Sequence, residues 1–261
     1  MTILTRDDDA HIATLTMNAP DRLNALSMAM LQALHDAFDT IAADDTIRVV
    51  ILRGAGRAFC AGHDLNELRS LRAQPDKGAA GVKALFDRCT ALMTRIQSLP
   101  QPVIAQVHGL AAAAGCQLVA TCDLAVAEDG ARFGVNGVNI GLFCSTPMVA
   151  LTRNIPTKLA FEMLTTGRFL LASEAQHQGL INRTAPAEEL GEDTRALAQS
   201  IAQKLPAAVR IGKAAFYAQS HMTTAQAYAF TGDVMVENMA LDATAEGIDA
   251  FLTKRLPDWP T

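Results

Sequence analysis

Two glycine-flanked stretches of this 261-residue chain have the residue types and spacing to do chemistry. The first, Gly54-Ala55-Gly56-Arg57-Ala58-Phe59-Cys60-Ala61-Gly62-His63-Asp64-Leu65, opens through small residues into a helix start at Asp64. Backbone N–H groups at such a turn are free to meet an anion or a polarised carbonyl, because glycine removes the side-chain obstruction and the first helical amides lack partners within the helix. A plain strand-to-helix turn is the other reading of the same residues. The second stretch, Val107-His108-Gly109-Leu110-Ala111-Ala112-Ala113-Ala114-Gly115-Cys116-Gln117-Leu118, repeats the pattern. Two such turns on neighbouring strands could aim two N–H groups at one point. That is an oxyanion hole in outline, and each well-placed donor is worth roughly 10²- to 10³-fold in rate. A third, loop-like stretch runs from Phe133 to Pro147 and ends where another helix can start.

The elements that must position these turns alternate along the chain. His11 to Met17 alternates as a strand, and Ser27 is placed to cap a helix over Met28 to Ala43 whose Met30, Leu31, Leu34, Phe38 and Ile41 fall at helical spacing. Arg48 to Leu52 is a nearly all-apolar run ending at Gly54, which suits a strand covered on both faces. After a polar stretch, Ser70 to Gly81, read as mobile, a helical pattern over Val82 to Gln97 leads to strands at Val103 to Val107 and Leu124 to Ala127. The class is α/β. Past about residue 145 the strand signal fades and helices are expected at Met148 to Arg153, Pro156 to Thr165, Ser173 to Gln178 and Pro186 to Lys204, with Ser173 and Gln176 spaced as a capping box. Residues 1–205 read as the core. Residues 206–261 read as a helical appendage with helices at Ala207 to Gln219, Thr224 to Met239 and Thr244 to Thr253.

Composition narrows the function. Half the residues are hydrophobic and 19% are charged, enough to bury a core, and 47 alanines against one Trp and two Tyr imply close packing of short side chains. The formal charge of −5 argues against a nucleic-acid binder, which needs a clustered positive face, while leaving room for a local basic pocket. The longest low-polarity run, Gly109 to Ala120, is too short for a membrane span. Asp7 to Asp9 break any leader-like pattern at the start, so a cytoplasmic location is the expectation. Cys60, Cys89, Cys116, Cys122 and Cys144 are scattered without metal-ligand spacing and read as reduced, buried thiols, with no metal expected.

The run from Arg57 to Leu65, the Val107-His108-Gly109 and Ala114-Gly115-Cys116-Gln117-Leu118 runs, Cys122-Asp123, and the closing Phe251-Leu252-Thr253-Lys254-Arg255 together resemble the crotonase (enoyl-CoA hydratase/isomerase) superfamily. The resemblance covers essentially the whole chain in family order. It implies a crotonase-like spiral of repeated ββα units with a helical C-terminal trimerisation region, self-association as a trimer or hexamer, and an acyl-CoA ligand. No tightly bound cofactor is implied, since coenzyme A enters as part of the substrate. The implied oxyanion amides are those of His63 and Ala114. Along the coenzyme the resemblance implies Arg22, Arg57, Ala58, Ala61 and the backbone from His63 through Asp64 and Leu65 to Asn66, with Phe251 and Lys254 near the 3′-phosphate, offered by the same or a neighbouring subunit.

The departures matter equally. Hydratases of this family use two glutamates as general acid and base, and their positions here hold Gln117 and Gly137. Neither an amide nor a glycine exchanges a proton near neutral pH, so contributions of roughly 10²- to 10⁴-fold per group are forfeited. Glu67 and Cys144 are the candidate substitutes, the first readable equally as a helix-dipole partner and the second as a packed thiol with His63 as its only local base. Three activities stay open: a hydratase-like lyase or isomerase, another oxyanion-hole reaction such as thioester hydrolysis or decarboxylation, and a non-catalytic acyl-CoA-binding oligomer.

Overall fold

The computed structural model describes residues 2–259. The chain enters as β1 (Leu4–Asp9) and β2 (Ile12–Met17), an antiparallel hairpin whose turn holds Ala10 and His11 at positive φ. Then α1 (Met28–Ala42) crosses to β3 (Val49–Gly54). The Ser27 hydroxyl accepts the Met30 N–H, the cap expected from the sequence. Next come α2 (Leu65–Arg72), α3 (Ala79–Ser98), β4 (Val103–Val107), β5 (Leu110–Ala112), α4 (Ala114–Thr121), β6 (Leu124–Glu128) and β7 (Arg132–Gly134). The core closes with α5 (Pro147–Leu151), α6 (Thr157–Thr166), β8 (Phe169–Leu171), α7 (Ala172–His177), β9 (Arg183–Ala185) and α8 (Leu190–Ala202). Three helices follow: α9 (Pro206–Gln219), α10 (Thr224–Met239) and α11 (Asp242–Leu252).

Six strands form one sheet in the order β1-β2-β3-β4-β6-β9, parallel from β2 onward, and β5-β7-β8 form a second, smaller one. Strand side chains alternate between faces, so β3 sends Val50 and Leu52 to one side and Val49 and Ile51 to the other. The first side meets the α1 stripe of Met30, Leu31, Leu34, Phe38 and Ile41. The second meets Leu190, Leu197, Ala198 and Ala202 of α8. Cover on both faces is why β3 reads as a continuous apolar run, and each such side chain buried contributes roughly 1.5–3 kcal/mol.

Several expectations need correcting. Half of Ser70 to Gly81 is helical, as the end of α2 and the start of α3, with a turn between them in which the Asp76 carboxylate accepts the Gly78 and Ala80 N–H groups at 2.8 and 3.0 Å where the second helix begins. No capping box forms at Ser173: β8 runs straight into α7 with Leu171 at the cap, which leaves Ser173 and Gln176 inside the helix. A capping box does form at Thr223 and Gln226, at the start of α10. The helix expected from Pro186 begins at Leu190. Strands β8 and β9, in the region read as helical, are three residues each, too short to show a period of two. The Asp7 to Asp9 run lies in β1, an exposed edge strand, where charge discourages pairing with another chain.

Helix α9 starts at Pro206, whose missing N–H suits a first helical position. It is anchored to the core through the Lys213 ammonium, which donates to the Ile96 and Gln101 carbonyls at 2.9 Å each and to Asp123 at 2.6 Å, while the Tyr217 hydroxyl donates to Asp123 at 2.8 Å. Among the described residues, ten of the eighteen exposed large hydrophobic ones, including Phe216, Tyr228, Met235, Val236 and Phe251, lie beyond residue 205.

Candidate active site

The two glycine-flanked turns meet. Phe59 and Cys60 donate N–H groups to the His108 and Leu110 carbonyls at 3.0 and 3.1 Å, and Ala112 returns one to Cys60 at 2.9 Å. The first stretch therefore runs as a short parallel ribbon beside the second. At its end Gly62 takes φ +97°, a conformation side chains rarely adopt, and a Cβ there would lie 3.0 Å from that of Ala113 and 3.3 Å from the Ala114 nitrogen. The third stretch joins through the Ala113 N–H, which donates to the Gly134 carbonyl at 2.7 Å. Neither the His63 nor the Ala114 N–H donates to a backbone carbonyl among the described residues. Ala114 opens α4 as its first residue, and the turn is set one residue earlier, where Ala113 sits at φ +48°, ψ −117°. That region belongs normally to glycine.

Beside this junction is a cavity of about 480 Å³ lined by Ala61, His63, Leu65, Leu68, Phe86, Ala113, Ala114, Asn136, Gly137, Ile140, Leu142, Phe143, Cys144, Ser145, Thr146 and Pro147. His63 offers more than its amide. Its Nδ1 lies 3.1 Å from the Leu26 carbonyl oxygen, a contact that requires the Nδ1–H tautomer and leaves a lone pair on Nε2. Nε2 is buried without a partner among the described residues, and the ring stands edge-on to Phe86 with centroids 5.1 Å apart. Burial lowers the imidazole pKa, against the opposing Leu26 bond, so the ring is neutral near pH 7.

Gly137 and Cys144 fit each other. A Cβ at 137 would fall 2.5 Å from the Leu142 carbonyl oxygen and 2.8 Å from the Cys144 sulfur. The loop has closed over the place where a side chain at 137 would begin. Burial raises the Cys144 thiol pKa and the Gly137 N–H opposes it only in part, so Cys144 is a protonated lining group. Gln117 is buried on α4 with its Oε1 unpartnered, and it is not among the cavity-lining residues.

The remaining candidates separate. Glu67 turns away from the cavity, its carboxylate accepting the Met28 N–H at 3.0 Å and finishing the cap of α1. Asp64 is a cap as well, accepting the Asn66 and Glu67 N–H groups at 2.9 and 3.2 Å and the Arg22 guanidinium at 2.9 Å. Burial would raise its pKa, but these bonds and the Arg22 charge together hold it below the usual carboxylate value. Arg22 keeps most of its surface in solvent beside the α2 start, and Arg57 is exposed while Ala58 is buried. Phe251 and Lys254 are exposed at the end of α11 and do not line the cavity of their own chain. Arg255 beside them is held by Glu246 at 2.6 and 2.8 Å and by Asp249 at 2.9 Å. All five cysteines are free and buried.

Phe86 and Leu68 carry no functional signal in the sequence, and Ala113, Asn136 and Ile140 stand out there only as members of the second and third stretches. Phe86 and Leu68 sit on amphipathic helices where an apolar residue signals packing rather than a site. A positive φ at an alanine leaves no trace in sequence.

The model of the enoyl-CoA hydratase/isomerase family matches residues 7–261. The chain belongs to that family. Enoyl-CoA hydratase domain-containing protein 3 of Xenopus laevis, a mitochondrial protein by name, is 44% identical over 248 residues, covering 95% of this chain and 83% of the relative. A solved enoyl-CoA hydratase structure from Mycobacterium smegmatis superposes with a TM-score of 0.95 at 50% identity, covering all of both chains. The human enoyl-CoA hydratase domain-containing protein 3 structure gives 0.94 at 42% identity, covering 99% of this chain and all of that one. The crotonase fold expected from the motifs is the observed one. Family membership brings an acyl-CoA substrate class, and no helix among the described residues is long and apolar enough to cross a membrane.

Proposed function

We propose that this enoyl-CoA hydratase/isomerase family member binds an acyl-CoA thioester whose carbonyl oxygen accepts the His63 and Ala114 N–H groups, and that it is not an efficient hydratase. The observation that carries the reading is the pair of amides left without acceptors where Gly62 meets Ala114, beside an apolar cavity. Charge developing on the thioester oxygen as an enolate or tetrahedral species forms is stabilised by both donors, which is where catalysis by such a hole lies. Water addition further needs a group to take a proton from water and one to deliver it to Cα. Among the described residues, no Asp, Glu, Lys or Arg lines the cavity, and the titratable side chains there are His63 and Cys144. This favours a reaction that uses the hole without a carboxylate pair, thioester hydrolysis, or binding without turnover, whereas decarboxylation would share the hole but bring a carboxylate into a cavity whose lining offers it no Lys or Arg.

The coenzyme would lie along Arg22, Arg57, Ala58, Ala61 and the residues from His63 to Asn66, with Phe251 and Lys254 supplied across a trimer or hexamer contact. The exposed apolar side chains of α9, α10 and α11 support such an assembly. The cytoplasmic location stays a proposal from the sequence, against relatives named mitochondrial.

The test is a panel of acyl-CoA thioesters, crotonyl-CoA included, with Ala114→Pro as the control. Proline is tolerated at a first helical position and removes the donor, and because it also restricts the residue before it, here Ala113 at φ +48°, ψ −117°, the Tm of the variant is measured alongside. Slow or absent hydration of crotonyl-CoA is expected, and any thioester chemistry found should vanish in Ala114→Pro. Hydration at rates typical of enzymes, or turnover unchanged in that variant with its fold intact, would overturn the reading.

A further inference from the structure

We propose that the acyl group this site takes is an uncharged aliphatic chain long enough to run out of the cavity over Leu65, Ile140, Leu142 and Phe143. This rests on the acyl-CoA reading above and names the substrate class within it. Those four side chains line the cavity yet are 57%, 59%, 49% and 46% exposed, in a protein that buries most of its large apolar residues. Met148 and Val149, 37% and 49% exposed, come shortly after Phe143, in the first turn of α5. An apolar rim continuous with an apolar cavity is uncovered surface that a hydrocarbon chain would cover, each methylene tightening binding about fourfold until the rim is spanned.

The polar side excludes acyl groups that end in a charge. Among the described residues no lysine or arginine lines the cavity to meet a terminal carboxylate, and neutral His63 has committed its Nδ1–H to Leu26. A carboxylate carried into this cavity would lose its water and find no cation. Adipyl-CoA should therefore bind about a hundredfold more weakly than hexanoyl-CoA, which has the same carbon count.

The experiment is calorimetric titration of the intact protein with butyryl-, hexanoyl-, octanoyl-, decanoyl- and adipyl-CoA. Affinity is expected to climb through the saturated series, with a heat capacity change that grows more negative with length. Leu142→Lys should reverse the preference, strengthening adipyl-CoA and weakening octanoyl-CoA. If the saturated thioesters bind but affinity is flat with length, or adipyl-CoA matches hexanoyl-CoA, this inference falls while the acyl-CoA reading stands. If no thioester binds, both fall.

Discussion

The sulfur of Cys144 stands 2.8 Å from the point a Cβ on residue 137 would occupy, and the Leu142 carbonyl oxygen stands 2.5 Å from the same point. The missing carboxylate at Gly137 is thus a property of the whole loop, which has taken up the room. Gly137→Ala should destabilise the fold by about 1–3 kcal/mol through overpacking, and Cys144→Ala in the same chain should recover part of that loss, the carbonyl contact remaining. Urea denaturation of the two single variants and the double variant measures the coupling. Additive effects would show that the pair does not compete for this space.

Ala113 holds the turn before the Ala114 amide in a conformation that suits glycine, at φ +48°, ψ −117°. Strain of this kind is on the order of 1–3 kcal/mol, and glycine gives back some through its looser unfolded chain. Ala113→Gly should leave the protein more stable by about 1 kcal/mol, read as a rise of about 2–4 °C in Tm. A lower Tm would show that the surroundings hold alanine there without strain.

His63 gives the site a pH dependence of defined sign. Its folded pKa is lowered by burial from the ordinary 6.5, so below that value the unfolded chain takes up a proton that the folded one resists. Its contribution to stability is complete above about pH 6.5 and is lost as pH falls through the lowered pKa. The drop in Tm between pH 7.5 and 5.5 should shrink in His63→Gln. An unchanged drop would place the titration elsewhere.

The Lys213, Asp123 and Tyr217 cluster joins the C-terminal helices to the start of β4, where Asp123 also accepts the Val103 N–H at 2.7 Å. Burial pulls the ammonium pKa down and the Asp123 carboxylate resists it. Asp123→Ala strands that charge and should lose about 3–5 kcal/mol, whereas Lys213→Met leaves Asp123 with two donors and should lose clearly less. Equal losses in chemical denaturation would contradict this ordering.

Local pattern made most of the fold readable. The α1 stripe, the Ser27 cap, the apolar β3 and β4 runs and the Pro206 helix start each depend on neighbours within a turn or two, which is the range sequence periodicity reports. What it missed, the three-residue β8 and β9 and the Asp76 turn before α3, depends on partners too few or too local to make a period.

For the site, the residue order determined which backbone amides could form the hole and that Gln117 and Gly137 stand where two glutamates were expected. Only the tertiary structure decided that Glu67 serves the α1 cap, that Cys144 fills the room beside Gly137, and that Phe251 and Lys254 lie away from their own chain's cavity. Side-chain type is written in the chain. The direction a side chain points, and what already occupies the space it would enter, is set by contacts between residues distant in sequence.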